Sequence, residues 1–345
     1  MTAARQLTMV IPGLFGPAES KRPPEIWRDL SLPALDIMLS RARRESSEGK
    51  GLERTLFALF RLSGGDGVDL PIAAVTRQWE AGDAGGYWWL RADPVHLRAD
   101  RDRIVMLGNR VLDIAVEECN DIAAELNQHF AGEGWKLEAP NVRRWYLRLD
   151  KDPQINTDGL PEVIGQDIVD HMPRGPAAAY WRSVMNEVQM VLHSSRVNRE
   201  REARGALPVN SLWFWGGGEL PSPPAVAWSQ LWGNDALSKS LASLARVPAS
   251  SQPAEAEEWL EDGTPGEHLL IWDGLQEKIR FGEVEAWREF LRALHDDWLK
   301  PLLTALKQRR LAAVHLYPTD GSSFRLTGRD ARRWWVGRRS LDQWL

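Results

Sequence analysis

The stretch NREREARGALPVNSLWFWGGG, residues 198–218, constrains this chain more than any other. Its first half is charged, residues 211–215 are apolar and aromatic, and three glycines close it. Pro208 keeps a helix from running into the apolar part. The pattern predicts a buried strand at 211–215 followed by a turn at Gly216, Gly217 and Gly218. Three successive glycines permit positive φ and bring backbone N–H groups close to whatever faces them. That object is either an anion or a tightly packed neighbour. The Gly-Lys-Ser/Thr of a phosphate-binding P-loop is missing.

Around this stretch, buried-type strands are expected at 7–11, 87–90, 103–107, 144–149, 268–272 and 311–317. Helices are expected at 33–44, 52–62, 111–130, 177–195 and 285–299. The last of these sets Trp287, Phe290, Leu291, Leu294, Trp298 and Leu299 on one face, and Pro301 suits the first turn of a following helix. Strands that alternate with helices and lack a polar face predict an α/β fold with a mostly parallel sheet flanked by helices. Prolines, small residues and acids at 246–267 predict a surface loop.

A net charge of −5 gives no global attraction to nucleic acid or to an anionic membrane, and neither is an expected partner. The apolar run at 7–14 is too short and broken for a signal peptide. With Cys119 as the single thiol, the expected location is the cytoplasm. Cys119 follows Glu117 and Glu118, which raise a thiol pKa, so no reactive cysteine is expected. The 18 tryptophans predict aromatic packing in the core or between subunits, with an interaction scaffold and a homo-oligomer as the alternatives. Arg332, Arg333, Arg338 and Arg339 flank Trp334 and Trp335, a patch suited to an acidic partner or to a capped terminal element.

Asn198, Arg201, Gly205, Pro208, Asn210, Trp213, Trp215, Gly216 and Gly218 together resemble a signature of the archaeal-type cofactor-independent phosphoglycerate mutases of the alkaline-phosphatase superfamily. The likeness extends upstream through Arg144 to Asp152-Pro153 and downstream over 282–306, and is strongest at 140–230 and 265–325. The resemblance implies an alkaline-phosphatase-like α/β core made of 1–96 and 175–345, with a smaller α+β domain inserted at 97–174. It also implies two-metal phosphoryl transfer through a phosphoserine, which needs Asp and His ligands around a hydroxyl nucleophile.

Those ligands are not where the resemblance implies them. Pro12 stands at the end of the first strand in place of an Asp, and Leu52 stands at the nucleophile. Gln276 and Arg280 stand at an Asp-x-x-x-His pair, and Thr319-Asp320-Gly321 keeps an Asp without its His. Histidine occurs at 96, 129, 171, 193, 268, 295 and 315, and the one Asp-His pair is Asp170-His171. The expectation is a mutase-like protein without catalytic residues or cofactor, serving a binding or regulatory role. Arg199, Arg201, Asn210 and the Gly216, Gly217 and Gly218 amides are its candidates for contact with a phosphorylated small molecule or a protein partner. The alternative is an active mutase or phosphohydrolase with a rearranged Mn or Zn site built from Asp93, His96, Asp100, Asp102, Asp273 and Asp320. Ion pairing with Arg98, Arg101 and Arg103 is the simpler account of the 93–102 acids.

Overall fold

The computed structural model describes residues 5–16, 26–27, 29–62, 67–272 and 283–344. In chain order the strands are β1 (Gln6–Val10), β2 (Arg43–Ser46), β3 (Trp88–Val95), β4 (Leu97–Asp100), β5 (Arg103–Met106), β6 (Trp135–Glu138) and β7 (Tyr146–Leu149). They continue with β8 (Ser211–Gly218), β9 (Trp228–Trp232), β10 (Ala249–Ser250), β11 (Glu267–Ile271), β12 (Ala313–Tyr317) and β13 (Ser322–Thr327). Two compact units contain them: Met1–Ser63 with Pro223–Leu345, and Gly64–Ser222. The inserted unit is therefore wider than the expected 97–174. The reason is strand pairing: β3 joins both β7 and β8 antiparallel, which draws residues 64–96 and 175–222 out of the core.

The first unit is an α/β sheet in the order β10-β9-β11-β1-β12-β13-β2, parallel from β10 through β12 and antiparallel at β13 and β2. β1, β11 and β12 are buried or half-buried at every position, so they show no exposed polar face. The expected helix 33–44 stops at Arg41, and the four residues of β2 pair with β13 instead. All four are exposed, and charge suits an edge strand because it discourages a further strand from pairing. The expected loop at 246–267 contains β10 and the helix Ala256–Asp262, whose Trp259 is wholly buried. The helix Val284–Ala293 passes through a π turn at Leu294–Leu299 into the helix Lys300–Lys307. Pro301 stands in the first turn of that helix, where its missing N–H is tolerated.

The second unit has the antiparallel sheet β6-β7-β3-β8 and the separate hairpin β4-β5. The helix Ile72–Ala81 packs on β3 and β8, while the helices Val116–His129 and Ala178–Ser194 pack on β6 and β8 and on each other. The expected turn at Gly216–Gly218 is strand: β8 runs to Gly218, and every residue in it is buried. A register shift against β3 falls at these glycines, and Gly216 has φ 65°, which together make a β-bulge. A Cβ on Gly217 would lie 2.7 Å from the Leu90 side chain, and one on Gly218 2.6 Å from Pro71. Close packing therefore requires glycine at both positions.

Half of the 18 tryptophans are buried. Trp89 donates its indole N–H to Ala84 O at 3.0 Å, Trp213 to Asp158 O at 2.9 Å and Trp298 to Ala254 O at 3.2 Å. Each gains buried area while its one polar atom stays satisfied.

Candidate functional site

Ligands of open α/β sheets gather at the carboxyl ends of the parallel strands. In the first unit that edge consists of Ile11-Pro12-Gly13 after β1, Trp272 after β11 and Pro318-Thr319-Asp320 after β12. Backbone bonds hold it together: Ile11 N donates to Tyr317 O at 2.9 Å and Trp272 N to Val10 O at 2.9 Å. The helix Leu52–Leu59 starts here too, since Gly51 N donates to Thr319 O at 2.8 Å. The places that the resemblance assigned to the nucleophile and to a late ligand thus do meet. Thr319 sits at φ 67°, a left-handed conformation that costs a β-branched residue free energy.

The polar side chains described there, Asp320 and Thr55, bond close to themselves in sequence. Leu52 has no hydroxyl. Asp320 accepts from Ser322 N at 2.8 Å and Ser322 Oγ at 2.7 Å, both through one oxygen, which fixes it as the cap of its own turn. Thr55, the nearest hydroxyl on the helix, donates back to Gly51 O at 2.8 Å.

At the end of β1 the corner is closed. Trp287, wholly buried, donates its indole N–H to Gly13 O at 3.0 Å, and a Cβ on Gly16 would lie 3.1 Å from its ring. Trp27 meets Trp287 edge-on with centroids 5.2 Å apart. Ile11 and Leu14 are buried beside them. Trp287 thus packs between Trp27 and the backbone at Gly13 and Gly16, at the corner after β1.

The three histidines of this unit do not converge. His268, near the start of β11, accepts from Trp232 Nε1 at 3.2 Å and Trp259 Nε1 at 3.1 Å, both at Nδ1. Its Nε2 then carries the proton, facing Thr264 O at 3.0 Å, and burial lowers its pKa. His295, in the π turn, accepts from Ala34 N at 3.1 Å and faces Asp296 at 2.8 Å. His315, on β12, accepts from Arg325 Nε at 3.2 Å, and an adjacent guanidinium repels a metal cation.

Burial, then Arg325, push the His315 pKa from 6.5 down to about 4, with Glu45 opposing. The unfolded chain takes up this proton at higher pH than the folded one. His315 therefore contributes stability that is complete above pH 6.5 and is lost as pH falls toward about 4. We expect its NMR resonances to remain those of neutral imidazole at pH about 5.5, and His315→Gln to flatten the pH dependence of unfolding in that window. A resonance titrating near its ordinary value would contradict the burial argument.

The alternative metal cluster is dispersed. Asp93 is buried and accepts from Arg91 Nη2 at 2.6 and 2.8 Å, from Trp215 Nε1 at 2.9 Å and from Trp145 N at 3.2 Å. His96 Nδ1 faces Pro208 O at 2.9 Å. Asp100 pairs with Arg103 at 3.0 Å across the β4-β5 hairpin, and Asp102 is exposed in its turn. Asp273 lies outside the described residues, as do Gln276 and Arg280. Among the described residues no three His, Cys, Asp or Glu side chains form a group able to hold a metal ion.

The expected anion contacts are also used internally. Arg201 is fully buried and donates to Leu207 O at 2.9 Å, Asp113 O at 2.9 Å and Glu118 at 2.7 Å. Arg199 donates to Ser194 O at 2.5 Å. Asn210 exchanges two bonds with the Leu97 backbone, at 2.7 and 2.8 Å, and Asn198 braces Leu192 and Val209. The Gly217 amide does meet an anion, the chain's own Asp69, which also accepts from Thr157 N at 3.0 Å. Each of these side chains thus has partners within the chain. Burial pushes the Cys119 thiol up to about 11, with Glu118 acting in the same sense, so burial outweighs the neighbouring acids that the sequence emphasised.

No family profile matches this chain. Over 153 residues it is 26% identical to a Geobacter sulfurreducens protein named "Probable 2,3-bisphosphoglycerate-independent phosphoglycerate mutase", covering 44% of this chain and 38% of that one. Over 63 residues it is 38% identical to a 2,3-bisphosphoglycerate-independent phosphoglycerate mutase of Methanothrix thermoacetophila, covering 18% of this chain and 16% of that one. The matched segments span less than half the length of these curated relatives. Among solved structures, the PH0037 protein from Pyrococcus horikoshii superposes on 95% of this chain and 88% of its own, with TM-score 0.53 and 10% identity, a shared fold. A cofactor-independent phosphoglycerate mutase from Thermoplasma acidophilum matches 95% of this chain and 90% of its own at TM-score 0.43 and 16% identity.

Proposed function

We propose that this chain is a phosphoglycerate-mutase-like protein that has given up metal-dependent phosphoryl transfer and acts by binding. Its similarity to named mutases supports the ancestry. The closed corner at the end of β1 carries the loss: Pro12 offers no ligand, and Trp287 bonded to Gly13 O fills the space beside it. Leu52, beside Thr319, removes the nucleophile on the same reading. The donor set does not fit two divalent ions, which need several carboxylates and neutral imidazoles converging within about 2.0–2.3 Å of each metal. Residues 273–282 contribute one Asp and one Glu and no His, too few to rebuild such a set.

The test is conversion of 3-phosphoglycerate to 2-phosphoglycerate by the purified chain, supplied in turn with manganese, cobalt, zinc and magnesium. We expect no conversion above the enzyme-free rate, and metal content well below one ion per chain after dialysis. Turnover that needs a metal and survives a second purification would restore the reading of an active mutase with a rearranged site. None of the described helices is long and apolar enough to cross a membrane.

A further inference from the structure

We propose that the corner of the first unit around Trp334 and Trp335 docks an acidic segment of another protein. This surface is separate from the strand-end corner and does not depend on whether that corner turns over substrate. Trp334 is 81% exposed and Trp335 68%, with ring centroids 6.0 Å apart and planes at 87°. Exposure here is not the fraying of a loose end. The short helix Gly328–Ala331 is capped by Thr327 and Asp330 reciprocally, Ala331 is wholly buried, and turns follow from Trp334 N to Arg332 O at 2.8 Å and from Val336 N to Arg333 O at 3.2 Å. Leu341, 4% exposed, anchors the chain again just beyond. Two indoles are therefore held outward on a turn fastened at both ends.

The charge around them is local and positive in a chain of net charge −5. Between Gly328 and Trp344 lie five arginines and two aspartates. One of those acids, Asp330, is bound to Thr327 and to Arg333, at 2.5 Å in each case. Tertiary contacts add Arg41, which donates to Ala331 O at 2.7 Å, and Arg44, 5.7 Å over Phe324, against one further acid, Asp36, which interacts with Arg338 and Asp342. Phe324 in turn meets Trp344 at 5.6 Å, and Arg339 lies 5.9 Å from that ring. Exposed Trp beside Arg is the composition of protein-binding hot spots. Guanidinium groups take carboxylates in paired hydrogen bonds, so complementarity calls for Asp and Glu around an apolar residue that meets the indoles.

Other anions fit less well. A membrane-surface element presents a long apolar face, usually a helix, whereas this one presents two rings and the half-buried Val336. Single-stranded nucleic acid stacks on successive faces along a basic groove, and perpendicular indoles do not offer two such platforms.

The probe is a fluorescein-labelled peptide of roughly fifteen residues, mostly Glu and Asp with Phe and Leu interspersed, titrated with the full chain and followed by anisotropy. We expect binding that weakens about tenfold or more as salt rises from about 50 to about 300 mM. The double variants Trp334→Ala/Trp335→Ala and Arg332→Glu/Arg339→Glu should each weaken it by at least about tenfold. The Trp pair should leave the melting temperature unchanged because both rings are exposed, while the Arg pair also loses the Arg332 bond to Lys307 O and the Arg339 contact with Trp344. No anisotropy change up to about 100 μM chain, or a Trp double variant that binds like the parent, would overturn the proposal. So would tighter binding to phosphatidylserine vesicles or to an oligo-dT strand than to the peptide. Self-association of the chain that disappears in the Trp double variant would replace the foreign partner with a second copy.

Discussion

Asp93→Ala is expected to lower the free energy of unfolding by about 3–5 kcal/mol, the usual consequence of removing one member of a buried ion pair. The carboxylate satisfies the Arg91 guanidinium, the Trp215 indole and the Trp145 amide together. Arg91 has no alternative in water, since it is 5% exposed and lies between the rings of Tyr146 and Trp215, at 5.4 and 5.1 Å. Without Asp93 three donors, one of them charged, remain buried and unpaired. Asp93→Asn separates the two components. It keeps an acceptor in place but leaves the guanidinium uncompensated, so it should recover only part of the loss. Arg91→Met combined with Asp93→Leu should recover more than either single change, because an apolar pair carries no desolvation cost. Urea midpoints at constant m-value would report these variants. A loss below about 1 kcal/mol for Asp93→Ala would mean that the pair is less buried than its contacts indicate. The same geometry bears on function, because a carboxylate this fully engaged has no free lone pair for a metal ion.

The middle of the first unit's sheet was legible in the sequence because β1 and β11 are buried along nearly their whole length. The apolar runs at β1, β11 and β12 and the broad apolar face at Val284–Ala293 need no partner to be recognised. β2 was not legible: Arg43-Arg44-Glu45-Ser46 continues a helical pattern, and it becomes strand through pairing with β13 nearly 280 residues away. The helix Ala256–Asp262 was hidden by the prolines before it, although Trp259 within an acidic run was a usable signal of a buried face. The limits of the second unit depend on β3 pairing with β8 more than a hundred residues later, and single-sequence periodicity carries no record of such pairing. At the candidate site, the missing donors at Pro12 and Leu52 were visible directly. What replaced them was not. Asp69 under the Gly217 amide and Trp287 over Gly13 are long-range contacts, and each converts an apparent vacancy into a packed interior.

Trp287→Ala is the second substitution with a large expected effect, about 3–5 kcal/mol of destabilisation, because it empties a wholly buried indole site. The loss has three parts: buried area, the edge-on contact with Trp27, and the hydrogen bond to Gly13 O. Phe at 287 should restore part of the area and none of the hydrogen bond, so its cost should fall between those of the parent and Ala. Melting temperatures and urea midpoints would rank the three. Trp287→Ala also tests what the plug does for function. If Trp287 merely blocked an otherwise competent metal site, opening the corner would let zinc or manganese bind and raise the variant's melting temperature in proportion to added metal. We expect no such shift. The cavity left behind borders Trp27 and the Gly16 backbone within an apolar core cluster, and an apolar cavity stays dry and offers an ion no ligand. Even Pro12→Asp combined with Trp287→Ala supplies a single carboxylate, and among the described residues Leu52 and the self-capped Asp320 add no further donor to it. A metal-dependent rise in the melting temperature of either variant would show that the plug, rather than the donor set, is what keeps metal out.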